Sequence, residues 1–183
     1  MAWAGRQITR RRPARQSSGG SAVLIIIFAG ALAAYGYKHW QNRSLTTVTG
    51  RAWVVDGDTI DVSGRRIRLQ GIDAPELDQT CTDAQGQPWP CGRAAARELG
   101  AHINSQHVTC ESSRLDRYER ALATCRLPDG SDVNVWMVRE GWALDYGRAH
   151  LYGAEEAQAR TAKRGIWAGS FTRPWEWRQQ HSR

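Results

Sequence analysis

Residues 47–55 alternate apolar and polar side chains and are rich in β-branched residues; 59–62 continue the pattern, and 65–72 alternate charged and apolar residues. A period of two belongs to strands with one buried and one wet face. Ser63-Gly64 between the second and third runs marks a tight turn. Residues 107–111 and 120–127 read as the arms of a further hairpin. Five short strands with helices inserted between and after them fit a small closed barrel, and the OB type is the natural one.

Three helices are expected around it. Residues 92–104 carry Ala95, Leu99 and Ile103 at helical spacing, and 133–143 carry a stripe of Val133, Trp136, Met137 and Val138. The third covers 155–164, with Ala157 and Ala162 as inner positions and Gly165 as its stop. Residues 77–90, rich in Asp, Thr, Gln, Gly and Pro, read as a long loop. No pattern emerges from the tail, 171–183. The fold class is therefore α+β, a five-stranded OB-type barrel with three helices, preceded by an N-terminal transmembrane or signal segment.

That segment dominates the charge. Residues 1–44 hold Arg6, Arg10, Arg11, Arg12, Arg15, Lys38 and Arg43 and no acid, which accounts for the whole formal net charge of +7. Beyond residue 44 the balance is zero, so the basic composition reports a leader and says nothing about nucleic-acid binding by the domain. Residues 16–37 are uncharged and their centre, AVLIIIFAGALAAY, is apolar, enough for a helix across a hydrocarbon core of about 30 Å. The expected organisation is a basic cytoplasmic leader (1–20), a transmembrane anchor or signal core (21–37), a linker (38–46), the folded domain (47–170) and a tail (171–183). Ala31-Leu32-Ala33 also offers a signal-peptidase site, so the domain is expected beyond a bacterial inner membrane, anchored or secreted. The cysteines agree with export. Cys81, Cys91, Cys110 and Cys125 lack metal-site spacing. Three pairings are possible; the expected one joins Cys81 to Cys91 across a loop and Cys110 to Cys125 across the hairpin.

The chemistry concentrates in Val54 to Glu76, VVDGDTIDVSGRRIRLQGIDAPE. Asp56, Asp58, Asp73 and Glu76 stand at backbone bends, with Arg68 on the strand between. Clustered carboxylates repel unless a cation sits among them, so the run predicts a hard-cation site, and a metal beside a guanidinium suits a phosphate substrate. Taken singly, DGDT and DAPE would be ordinary acidic turns.

The run resembles the staphylococcal nuclease (thermonuclease) family. The likeness continues in DRYER (116–120), MVREGWA and RGIWA and covers about residues 47–167. It implies the OB-type barrel and a Ca²⁺-dependent nuclease cleaving phosphodiester bonds of DNA and RNA, unpaired strands favoured, to leave 3′-phosphate ends. By the same resemblance, Asp58, Asp73 and the Ala74 carbonyl would hold Ca²⁺, Glu76 would orient or deprotonate the attacking water, and Arg68 and Arg120 would clamp the phosphate. Tyr118 would contact substrate. The chain departs from the family at Glu119, where a glycine is usual, and at Ala74, where the best-known member has threonine. The alternative is a nuclease-like barrel that has lost catalysis and binds nucleic acid or protein. Of the nine tryptophans, Trp136, Trp142 and Trp167 fall at core positions, while Trp89 is the one expected to reach substrate.

Overall fold

In a computed structural model, Gly30, Leu32 and residues 46–181 are described. The leader, the membrane or signal segment apart from Gly30 and Leu32, and the linker apart from Thr46 therefore lie outside the described residues. Thr46, assigned to the linker, opens the first strand. Among the described residues no helix is long and apolar enough to cross a membrane.

The strands β1 (Thr46–Val54), β2 (Thr59–Val62) and β3 (Arg65–Leu69) run antiparallel as the sequence pattern predicts. Short pairs follow: β4 (Ile72–Asp73), β5 (Cys81–Thr82) and β6 (Pro88–Trp89). Next come β7 (His107–Leu115), β8 (Ala121–Arg126) and β9 (Leu144–Asp145). The barrel closes in the order β1-β2-β3-β8-β7, with β3 and β8 parallel and the other pairings antiparallel. Closure leaves no free edge.

Among residues 46–181 four α-helices accompany it: α1 (Cys91–Ile103), α2 (Val133–Arg139), α3 (Gly153–Thr161) and α4 (Pro174–His181). The fourth corrects the reading of the tail: Pro174 occupies the first helical position, where its missing N–H costs nothing. The second stops four residues short of expectation, because Gly141 turns left-handed (φ 75°) and packs against the Arg164 carbonyl. Asp132 caps its start, accepting from the Val135 N–H at 3.0 Å. In α3 the buried residue is Ala159, whereas Ala157 and Ala162 are exposed. A single buried alanine serves this nine-residue helix, which packs against α2.

The main core joins Ile60, Ile67, Leu69, Val108 and Ala123 of the barrel to Leu99 and Ile103 of α1 and Val133, Met137 and Val138 of α2. Trp136 and Trp142 pack at its margin, as their sequence positions imply. Asn134 is fully buried and ties three segments: it accepts from the Cys125 N–H at 3.1 Å and donates to the carbonyls of Gln70 (2.9 Å) and Ala123 (3.2 Å). A second, smaller core holds Leu144 and Ile166 around the Cys81–Cys91 disulfide, with Trp89, Trp167, Phe171 and Trp175 against it. Cys110–Cys125 bonds two residues directly opposite on β7 and β8. Both expected pairings are present. On the chain-entropy model, a loop of 15 residues is worth about 3 kcal/mol.

Candidate active site

Two loops meet at the mouth of the barrel. The β1–β2 loop turns on Asp56, whose Oδ1 accepts from the Asp58 N–H at 3.0 Å. Gly57 then lies against the β4 loop so closely that a Cβ there would stand 2.6 Å from the Ala74 Cβ. That approach lets Asp58 Oδ2 accept from the Ala74 N–H at 3.0 Å. Pairing of β4 with β9 buries Asp73 completely. Arg68, on β3, spans the gap: Nη2 donates to Asp73 Oδ1 at 2.8 Å and Nη1 pairs with Asp58 Oδ1. One guanidinium therefore bridges two carboxylates that sit 15 residues apart in the chain.

Glu76 follows Pro75, with its N–H held by Gln79 Oε1 at 3.3 Å. Its carbonyl receives the Gln79 N–H at 2.8 Å and abuts α1 where Gly92 leaves room; a Cβ at Gly92 would fall 1.6 Å from that oxygen. On the opposite wall, the β7–β8 turn is organised by Asp116. Its carboxylate accepts from the N–H of Tyr118 (2.8 Å), the N–H of Arg120 (3.0 Å) and Arg120 Nε (2.8 Å). Burial alone would raise the Asp116 carboxyl, but the hydrogen bonds from Arg120 and Tyr118 outweigh it and hold it below the usual range. The ion pair with Asp116 does not remove Arg120 from the site; it aims it. Glu119 is left-handed here (φ 61°), a geometry that favours glycine, and its side chain is exposed.

These walls enclose a cavity of about 550 Å³ lined by Asp58, Arg68, Ala74, Glu76, Tyr118 and Arg120. Six of the seven sequence-derived site residues thus share one space, and the seventh, Asp73, lies behind it, reaching it through Arg68. Tyr118 is 63% exposed, with the guanidiniums of Arg117 and Arg120 at 4.7 and 5.3 Å from its ring. Asp56 also lines the cavity, and burial pushes its carboxyl upward against the opposing pull of a hydrogen bond from Thr59 and the charge of Arg68.

Among the described residues no group of three or more His, Cys, Asp or Glu side chains is arranged to hold a metal. The pair Asp58 and Asp73 remains, converging within the span of the Arg68 guanidinium. Two carboxylate side chains are hard oxygen donors with no thiolate or imidazole beside them in the cavity lining, which fits a hard cation and not zinc.

Two features escaped the sequence reading. Trp89 does not reach the cavity; it packs on the second core. Arg178, from α4, does reach it: Nη1 donates to Glu76 Oε1 (2.7 Å) and Asp73 Oδ1 (3.0 Å), and Nη2 to Asp73 Oδ2 (3.0 Å). Partial burial opposes its charge, but these bonds prevail and keep it protonated. Helix α4 is brought there by Gln79, fully buried, whose Nε2 donates to the Thr172 carbonyl at 2.7 Å. Tyr146, held by its N–H to the Gly71 carbonyl at 2.8 Å, adds a further ring to the cavity wall. Pro174 as a helix start was the one available signal for α4; nothing local in the sequence aims Arg178.

Residues 66–169 match the family model described as staphylococcal nuclease homologue. The chain is 39% identical over 161 residues to the succinoglycan biosynthesis protein ExoI of Rhizobium meliloti, covering 86% of this chain and 83% of that one. It is 35% identical over 135 residues to an uncharacterized endonuclease of Escherichia coli O157:H7 (69% and 82%). With the thermonuclease of Staphylococcus intermedius the identity is 34% over 145 residues (72% and 81%). A five-stranded barrel, an acidic and arginine-rich mouth and these similarities agree: the chain belongs to the staphylococcal nuclease homologue family.

Proposed function

We propose that the protein is an endonuclease that hydrolyses phosphodiester bonds of DNA and RNA with the aid of a divalent cation, Ca²⁺ by resemblance to the family. The observation that carries this reading is the meeting of Arg68, Arg120 and Glu76 around one cavity beside the buried Asp58–Asp73 pair.

The chain's own groups divide the work as follows. Arg68 uses one N–H of each terminal nitrogen on Asp58 and Asp73, which leaves three of its five for a phosphate. Arg120, aimed by Asp116, offers a second fork from the facing wall. A phosphodiester held between them has its non-bridging oxygens stabilised as negative charge grows on attack, and losing one such donor typically costs about 10²–10³ in rate. Glu76 holds a water by hydrogen bond and takes its proton as the water oxygen bonds to phosphorus; the P–O5′ bond breaks, and the leaving 5′-oxygen takes a proton from solvent to end as a hydroxyl beside the 3′-phosphate. Asp58, Asp73 and the Ala74 carbonyl would hold the cation, which when bound neutralises charge on the phosphate. Tyr118 presents its ring and hydroxyl to the strand leaving the cavity. Tyr146 and the tail residue Trp175, with ring centroids 5.5 Å apart, extend that wall towards unpaired bases.

The two disulfides support an oxidising compartment. With the uncharged stretch at 16–37, they favour a domain anchored outside a bacterial inner membrane or released from it. The test is hydrolysis of single-stranded DNA and of RNA by the full-length oxidised chain, with Ca²⁺, with chelator, and after Ca²⁺ is restored. Activity lost and regained, with products carrying 3′-phosphates, is expected. Binding of the strand without cleavage under every condition would overturn the enzyme reading and leave a binding module.

A further inference from the structure

Arg178 is the side chain that the proposed chemistry does not employ, yet it makes three contacts at the centre of the site. Both oxygens of Asp73 accept from it, and Asp73 Oδ1 accepts from Arg68 as well. Three of the four lone pairs of that carboxylate are thereby engaged by guanidinium N–H groups. Glu76 Oε1 is engaged too, by the shortest of these bonds, 2.7 Å. A carboxylate gripped on both oxygens by one fork presents no open, anionic face to a dication, and a dication drawn to it would be repelled by the fork.

The two cationic partners of Asp73 are not equally held. Arg68 sits on a central barrel strand with its side chain 15% exposed, bridging a second buried carboxylate. Arg178 has its side chain 38% exposed on α4, an eight-residue helix in which Pro174 is the buried residue. That helix is fastened upstream, by the Gln79 bond to Thr172 and by Trp175 on the second core, and in its later turn Trp177 stacks on His181 at 4.0 Å. Short helices with few buried residues open at little cost. Any rearrangement at Asp73 is therefore taken up by Arg178.

We infer that Arg178 is a tethered cation that competes with the divalent ion for Asp73 and Glu76, so that docking of α4 through Arg178 and loading of the cation oppose each other. This rests on the metal site of the proposed function. Linkage makes the effect reciprocal: whatever α4 docking takes from cation affinity, cation binding takes from α4 docking. Glu76, released from Arg178 in the same step, becomes free to receive a water.

The experiment is a calorimetric titration of Ca²⁺ into the full-length oxidised wild type and Arg178→Ala, beside amide hydrogen exchange over residues 174–181. If the docked form makes up about nine-tenths of the wild type, Arg178→Ala binds Ca²⁺ about tenfold more tightly. Saturating Ca²⁺ also speeds exchange in 174–181 of the wild type. Arg178→Lys, which keeps the charge and loses the fork, falls between. Equal or weaker affinity in Arg178→Ala, with unfolding curves like the wild type's, would overturn the competition while leaving the metal site intact. Absence of Ca²⁺ binding in both proteins would overturn the competition and the metal assignment together.

Discussion

Glu119 shows how a single residue can carry a cost without a task. It stands next to Arg120 in a left-handed conformation, where the family's usual glycine would be unstrained, and its side chain faces solvent. The organising bonds of that turn belong to Asp116, which holds the N–H groups of Tyr118 and Arg120 and the Arg120 side chain. Glu119→Gly should therefore raise stability by about 1 kcal/mol, by relief of left-handed strain, and leave the rate per folded molecule within about twofold. Thermal unfolding and single-turnover hydrolysis check the two parts. A loss of activity would mean that the Glu119 carboxylate, and not only its backbone, serves the site. The individual charges Asp58, Arg68, Asp73, Glu76 and Arg120 were legible in sequence because each is fixed to a turn or strand by its neighbours. Arg178 was not, because its contacts with Asp73 and Glu76 span more than 100 positions and depend on Gln79 fixing Thr172.

At the scale of elements, the strands read well and the helical margins less so. Period-two alternation located β1, β2 and β3 because each has one face in the core and one in water. Helix α1 read equally well from Ala95, Leu99 and Ile103, all of them buried. The stop of α2 and the inner position of α3 did not, since tertiary contacts decide both: Gly141 against the Arg164 carbonyl, and Ala159 against α2. Helix α1 also does more than cover the barrel. Gly92 in its first turn admits the Glu76 carbonyl to a distance that no side chain allows. Gly92→Ala must push the Glu76 loop outward, with a stability cost of about 1–3 kcal/mol from overpacking. A displacement of about 1 Å in a catalytic group costs about 10²-fold in rate. Turnover within about twofold of the wild type, in a variant shown to be folded, would contradict the link between α1 and Glu76.

For the molecule as a whole, the site is where separate parts of the fold converge. The barrel and its β1–β2 loop supply Arg68 and Asp58, β4 supplies Asp73, the β7–β8 turn supplies Tyr118 and Arg120, and the loop 77–90, pinned by Cys81–Cys91, follows directly on Glu76. That same loop anchors the approach to α4 through Gln79, so the second core and its disulfide are tied to the chemistry by a single buried side chain. The neutral balance of charge beyond residue 44 fits a groove whose positive charge is local, carried by Arg68, Arg117, Arg120 and Arg178 against paired acids. Fold class and the main site were legible because they rest on local patterns, the run Val54 to Glu76 and the hairpin that carries DRYER; the contribution of the tail was not, because it rests on docking. The central claim is that Arg68 and Glu76 carry hydrolysis in this cavity. The measurement that tests it most directly is the Ca²⁺-dependent cleavage rate of single-stranded DNA by the full-length oxidised chain against its Arg68→Ala/Glu76→Ala variant. A loss of at least about 10³-fold with substrate binding and folding retained is the predicted result. A rate within about tenfold of the wild type would contradict the account.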